Sequence, residues 1–172
     1  MTTYTAGLTT YTAGLTTYTA RPIDPPVLKE LRSTDDAGRE SVPVTDEEGG
    51  APLRCCLRRS VPGEPIALVS YAPLRRWAAR TGAEPGAYDE QGPVFIHARE
   101  CPGPDGGALP FTEAHRTVRR YSADGHILGG RLVEHPGDFE QAFTEAFADP
   151  QVALVHVRAV EYGCFLYEVR RP

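Results

Sequence analysis

Apolar and polar residues alternate most regularly at the end of the chain. Residues 152–159 and 164–170 each carry apolar side chains at every second position, which predicts two antiparallel strands with one buried face. The intervening Glu161-Tyr162-Gly163 is typical of a three-residue hairpin loop, with the glycine in the left-handed conformation. We therefore predict that the chain closes with a β-hairpin.

Burial selects the register of this hairpin, because a slip by one residue would mix charged side chains into the apolar face. The selected register pairs His156 with Glu168 and Arg158 with Leu166. The apolar face then consists of Ala153, Val155, Val157, Ala159, Phe165, Tyr167 and Val169. The opposite face carries His156, Arg158, Cys164, Glu168 and Arg170.

Other elements follow from the same periodicities. An apolar stripe predicts an amphipathic helix over 138–147, and Asp124-Gly125 predicts a type I′ hairpin turn. The strands of this hairpin are expected at 116–122 and 126–133, and further strands at 53–59, 66–71 and 94–98. Short helices are expected after Pro25-Pro26 and at 73–80. Loops are expected at 33–52 and 101–110. Because turns link most strands, the prediction is a single α+β domain, mostly an antiparallel sheet with two or three short helices.

The N-terminal residues 1–20 contain a tandem repeat. Thr-Thr-Tyr-Thr-Ala-Gly-Leu occurs at 2–8 and 9–15, and its first five residues recur at 16–20. Two copies are too short for a repeat array. We interpret 2–15 as a duplication, 16–20 as a short first strand, and 21–172 as the folded domain. Removing 2–15 should leave the melting temperature almost unchanged.

Composition narrows the class of protein. A chain of 172 residues fits one domain, and no apolar run is long enough to span a bilayer. The four cysteines are too few for a disulfide scaffold, and the N-terminus lacks the features of a signal peptide. We therefore expect a cytoplasmic protein with reduced thiols. The net charge of −5 disfavours nucleic acid and anionic membranes as partners.

Arginine supplies nearly all the basic side chains, since Lys29 is the only lysine. A GC-rich, actinobacteria-like genome explains this bias without any functional cause. Arginine nevertheless binds carboxylates and phosphates bidentately. We interpret Arg54, Arg119 and Arg158 as candidate ligands for a small anionic molecule, provided that their strands are neighbours.

Several local motifs resemble one bacterial family, the proteins with domain of unknown function 1203. They are Pro52-Leu53-Arg54 followed by Gly63-Glu64, Gly92-Pro93-Val94-Phe95, Arg119 before Tyr121, and His156-Val157-Arg158 followed by Gly163-Cys164. The resemblance covers roughly 22–170. Arg158 and Cys56 stand where we associate histidine and serine with the family. The resemblance implies a fold region and a site, but no activity.

The candidate chemistry centres on the polar face of the final hairpin. His156 is the candidate acid or base, oriented by Glu168, and Cys164 is a weaker candidate nucleophile. Cys56 is the candidate reactive thiol, because a strand places it on the face of Arg54 and Arg58, whose charges favour the thiolate. The alternative is that this hairpin face is a solvated surface with ordinary ion pairs.

No residue is assigned as a metal ligand and no organic cofactor is expected. The His97-x-x-x-Cys101 spacing fits zinc, and Cys55, Cys56, His156 or Cys164 would supply further ligands, but paired ligand motifs are lacking. The glycine pairs lack nucleotide-binding patterns.

Three functions stay open. The first is an enzyme acting on a small anionic metabolite with His156 as acid or base and arginines as a clamp. The second is a non-catalytic module that binds such an anion. The third is a protein-interaction domain.

Overall fold

The computed structural model describes residues 17–172, which form an α+β fold with two antiparallel sheets. The helices are α1 (Pro25–Leu31), α2 (Pro73–Thr81) and α3 (Phe139–Ala148), with short 3₁₀ turns at Gly86–Tyr88 and Pro136–Asp138. The strands are β1 (Val44–Asp46), β2 (Glu64–Tyr71), β3 (Gly92–His97), β4 (Arg116–Tyr121), β5 (Ile127–Val133), β6 (Leu154–Ala159) and β7 (Phe165–Arg170). The predicted fold class is therefore confirmed, although the strands divide into two sheets. Within the described residues, no helix has the length and apolarity needed to cross a bilayer.

The larger sheet has the strand order β5-β4-β6-β7, and α3 covers one of its faces. The predicted apolar stripe of this helix is fully buried: Phe139, Ala142, Phe143, Ala146 and Phe147. It packs in one cluster with the inward side chains Val155, Val157, Tyr167 and Val169. This cluster is the main hydrophobic core.

The smaller sheet has the order β1-β2-β3 and forms a second core with α1. The helix begins at Pro25, where proline is tolerated because the first N–H has no intrahelical partner. Its Leu28 and Leu31 are buried against the sheet residues Ile66 and Ile96. Phe165 of β7 belongs to this second core, so the smaller sheet packs on the face of the larger sheet that lies opposite α3.

Helix α2 follows β2 directly and ends at Gly82, whose left-handed φ of 75° terminates it. Its Leu74 packs with Tyr121 and Leu154 of the larger sheet. The ring of Trp77, on the same helix, has the guanidinium of Arg170 5.0 Å from its centroid. The indole N–H donates a 2.8 Å hydrogen bond to the carbonyl of Ala123. Helix α2 is thereby fixed to the turn between β4 and β5.

Four local predictions are wrong. The segment 53–59 is a turn, closed by a hydrogen bond from the N–H of Leu57 to the carbonyl of Leu53 (2.9 Å). The predicted loop 33–52 contains the short strand β1. Residues 17–20 form no strand, and only Arg21 pairs with Glu168 as an isolated bridge. In the β4–β5 turn, Gly125 has a positive φ of 83° but Asp124 does not, so the turn is not type I′. The duplicated residues 2–15 lie outside the described residues.

The final hairpin keeps the predicted pairing of His156 with Glu168, but Arg158 pairs with Phe165 rather than Leu166. A bulge between Val157 and Arg158 causes this shift, because the extra residue reverses the side-chain alternation beyond it. Leu166 therefore joins the α3 core and Phe165 turns to the face of His156.

Candidate functional site

His156 lies inside the protein and is 0% exposed. Its ring packs against Tyr121, with centroids 4.6 Å apart, and edge-on against Phe165 at 5.0 Å. Burial lowers the pKa of His156, since charging the ring would cost its hydration. His156 lines neither of the two cavities described below, and the candidate acid or base is therefore a histidine of the core.

Glu168 is opposite His156, as predicted, but the contact is weak. Its Oε2 lies 3.5 Å from Nε2 of His156, and neither ring nitrogen makes a hydrogen bond within residues 17–172. The nearer partner of Glu168 is Arg170, whose Nε lies 2.5 Å from Oε1. Burial raises the pKa of Glu168, but the contacts with His156 and Arg170 outweigh it and leave the pKa lowered. The carboxylate therefore remains charged beside the arginine.

Arg119 and Arg158 come together on the outer part of the same face, in a cleft of ≈ 360 Å³ between the sheets. The Nη1 atom of each lies 2.9 Å from one atom, Oε1 of Glu90. Arg158 is 9% exposed, and its Nε donates a 2.8 Å hydrogen bond to the carbonyl of Gly163. Its Nη1 has no hydrogen-bond partner of acceptable geometry among the described residues. Two guanidinium groups thus converge on one half-exposed carboxylate.

Cys164 and Phe165 form one wall of this cleft, and Arg54 lies behind that wall. The Nε of Arg54 donates a 2.7 Å hydrogen bond to the carbonyl of Phe165. Burial lowers the pKa of Arg54 to about 10, and no described carboxylate contributes to it. Of the three candidate arginines, Arg119 and Arg158 line the cleft and pair with Glu90, whereas Arg54 lies behind its wall and has no such partner among the described residues.

A second cluster of reactive side chains lies in the smaller-sheet core. Because 53–59 is a turn, Cys55 and Cys56 point to the same side, and their sulfurs are 4.0 Å apart. The strand predicted for 53–59 would have placed these adjacent cysteines on opposite faces, and that prediction is wrong. His97, at the end of β3, places Nδ1 3.3 Å from the sulfur of Cys55 and 3.8 Å from that of Cys56. Cys101 completes the cluster.

The hydrogen bond between the thiols of Cys55 and Cys56 shifts their pKa values in opposite directions. A hydrogen bond from Cys55 lowers the pKa of Cys56 to about 6, and the charges of His97 and Arg58 contribute less. The same contact, together with burial, raises the pKa of Cys55. The predicted direction for Cys56 therefore agrees with the structure, but its main cause is the neighbouring thiol rather than the two arginines.

His97 is held from its other side by a carboxylate. Its Nε2 lies 3.3 Å from Oε1 of Glu64, the first residue of β2. Arg58 pairs with Glu64, with Nη2 2.5 Å from the same oxygen, and this Nη2 also lies 3.2 Å from Nε2 of His97. The pairing with Arg58 lowers the pKa of Glu64 to about 2. The histidine is thus fixed between thiols and an ionised carboxylate.

A cavity of ≈ 770 Å³ opens in front of Cys56 and Arg58. Residues 104–110 of the predicted loop line its other side together with residues 18–20. Loops of this kind often cover binding sites.

Sequence reasoning missed the roles of two charged groups, and it named the four cysteine and histidine ligands without assigning them to one site. Glu90 lies in a short connection without any periodic pattern, so nothing in the sequence marked it as the partner of two arginines. Glu64 was noted only as part of a motif. The spacing of His97 and Cys101 was noted, but assigning a strand to 53–59 separated Cys55 from Cys56 and concealed that all four side chains meet.

These features define an α+β domain of two antiparallel sheets, with an arginine-lined cleft and a separate cysteine–histidine cluster. Residues 50–171 match the family described as "Protein of unknown function (DUF1203)". The chain belongs to this family, as its motifs suggested. Neither a curated protein nor a solved structure matches it.

Proposed function

We propose that the protein binds a small anionic ligand in the cleft lined by Arg119 and Arg158. The observation that carries the proposal is the convergence of two Nη1 atoms, each 2.9 Å away, on one carboxylate oxygen of Glu90. Paired guanidinium groups are the usual protein partners of carboxylates and phosphates. The oxygen of Glu90 thus marks the position at which an oxygen of the ligand would sit.

Glu90 is suited to leave this position when a ligand enters. Its side chain is 44% exposed and lies in the connection before β3, whereas that of Arg158 is only 11% exposed. A partly exposed ion pair contributes little to stability, about 0.2–1 kcal/mol. The arginines, held by the sheet, would remain in place while the carboxylate swings into solvent.

The geometry favours binding over catalysis. His156, the candidate acid or base, is enclosed by aromatic rings and does not line the cleft. Cys164 lines the cleft, but its sulfur lies 3.7 Å from the carbonyl of Tyr162, which offers no base. Buried Arg54 adds positive charge behind the wall. The proposed function is therefore that of the binding module rather than the enzyme.

Calorimetric titration at constant ionic strength, with inorganic phosphate and malonate as probes, tests this function. Glu90→Gln removes the competing charge, so two pairs of about 0.2–1 kcal/mol each correspond to ~2–30-fold tighter binding. Arg119→Ala in the Glu90→Gln background should abolish saturable binding. Arg131→Ala is the matched control, because Arg131 pairs with Glu145 outside the cleft.

Because Arg158 is buried, the variant Arg158→Lys is chosen to keep the positive charge. It removes the planar guanidinium group that binds an anion through two N–H groups. We expect this variant to bind the probes more weakly while retaining the wild-type circular dichroism spectrum. The proposal fails if neither probe binds the Glu90→Gln variant more tightly than wild type, or if Arg119→Ala behaves like Arg131→Ala.

A further inference from the structure

We propose that Cys55, Cys56, His97 and Cys101 bind one zinc ion. The ligand atoms of all four side chains lie within 4.8 Å of one another, although they come from a turn, a strand end and a loop. Three thiolates and one imidazole are a common ligand set for tetrahedral zinc in proteins. This site is distinct from the arginine cleft and does not depend on the proposed function.

The distances agree with a tetrahedral centre. With Zn–S near 2.3 Å and Zn–N near 2.0–2.1 Å, sulfur atoms should lie ~3.8 Å apart and sulfur and nitrogen ~3.6 Å apart. The two sulfurs of Cys55 and Cys56 are 4.0 Å apart. Nδ1 of His97 lies 3.3 and 3.8 Å from them. Small adjustments would therefore be enough to accommodate the ion.

The surroundings of His97 resemble those of a metal-bound histidine. A ligating imidazole usually donates its second N–H to a carboxylate, which fixes the tautomer and the ring orientation. Nδ1 of His97 faces the sulfurs, while Nε2 lies 3.3 Å from Glu64. Arg58 also approaches Nε2, at 3.2 Å. Zinc on Nδ1 would place the proton on Nε2, and this selects Glu64 as its acceptor.

The charges also suit the ion. Zinc with three thiolates and a neutral imidazole carries one net negative charge, which burial would penalise without a nearby cation. Arg58 offsets part of this charge, since its guanidinium interacts electrostatically with Cys55 and Cys56 as well as pairing with Glu64. The site therefore contains four ligands, an orienting carboxylate and an adjacent cation that the thiols share with that carboxylate.

The ion would join segments that share few backbone hydrogen bonds. The turn at 53–58 contacts β3 through an isolated bridge between Leu53 and Phe95 and a bond from the N–H of Arg54 to the carbonyl of Phe95 (2.9 Å). Cys101 begins the loop that covers the large cavity. Four protein ligands fill a tetrahedral centre, so this zinc would stabilise the turn and the loop rather than activate water.

The first experiment is anaerobic titration of the reduced, untagged, metal-free chain with Co²⁺, which reports tetrahedral thiolate ligation by charge-transfer and d–d absorption. Zn²⁺ should then displace cobalt, and elemental analysis should give one zinc per chain. Cys101→Ser should weaken binding at least tenfold. Cys164→Ser, the matched control, should retain the wild-type spectrum because its thiol is outside the cluster.

The variant Glu64→Gln tests whether Glu64 orients His97, because it leaves all four zinc ligands in place. We expect about 10–100-fold weaker binding with undiminished charge-transfer intensity at saturation, since every ligand remains. Thiol alkylation read by mass spectrometry avoids substitutions altogether. Zn²⁺ should protect Cys55, Cys56 and Cys101 but not Cys164. The proposal is overturned if the wild-type chain gives no thiolate charge transfer with Co²⁺, or if zinc protects no thiol more than Cys164.

Discussion

Leu57 allows a quantitative test of the turn that places Cys55 and Cys56 side by side. Its φ is +58°, a left-handed conformation that costs a residue with a Cβ roughly 1–2 kcal/mol. Its side chain nevertheless lies in the α3 core and is 8% exposed. At Leu57 the turn thus combines an unfavourable backbone conformation with a stabilising buried side chain.

The two contributions separate in the variants Leu57→Ala and Leu57→Gly. Both lose the buried side chain, which should cost about 2–5 kcal/mol. Alanine retains the left-handed strain, whereas glycine removes it and adds only about 0.4–1 kcal/mol of unfolded-state entropy. We therefore expect Leu57→Gly to be the more stable of the two by ~0.5–1 kcal/mol.

Leu154 provides the control, since it is 0% exposed and lies within β6. There, Leu154→Gly should be less stable than Leu154→Ala by about 0.5–1 kcal/mol. With a urea slope of roughly 1–3 kcal/mol/M, the opposite signs are resolvable as shifts of the unfolding midpoint monitored by far-ultraviolet circular dichroism. If glycine is less stable than alanine at both positions, the turn is not strained as described.

Two other predictions concern stability. Burial lowers the pKa of His156. Below the ordinary pKa of about 6.5, the unfolded chain therefore binds a proton on this histidine that the folded chain does not bind. The wild type should lose stability between pH 7.5 and 5.5 relative to His156→Phe, whose ring fills the same space between Tyr121 and Phe165. An unchanged difference between the two urea midpoints would contradict this. Deleting residues 2–15 should leave the melting temperature in calorimetry within a degree or so, and a large drop would show that the repeat belongs to the folded domain.

Elements with long, consistent patterns were predictable. The stripe of α3 and the alternation in β6 and β7 follow directly from burial, because one face of each element must be apolar. The pairing of His156 with Glu168 followed from the same rule. Local periodicity was enough for these elements, except at the bulged start of β7.

The remaining features depend on tertiary contacts that short segments do not encode. The turn at 53–58 reads as a strand, since its apolar residues alternate and nothing marks Leu57 as left-handed. The bulge beside Arg158 shifts the pairing by one residue and sends Phe165 to the other face. Burial of the polar face was not predicted, because the second sheet that covers it is remote in sequence.

The position of Trp77 has a practical consequence. As the only tryptophan of the chain, it is bonded to the β4–β5 turn and lies beneath Arg170 of β7. Its emission should therefore report separation of α2 from the larger sheet, rather than loss of secondary structure. If urea shifts the fluorescence before the circular dichroism changes, α2 separates from the larger sheet before the secondary structure of either unfolds.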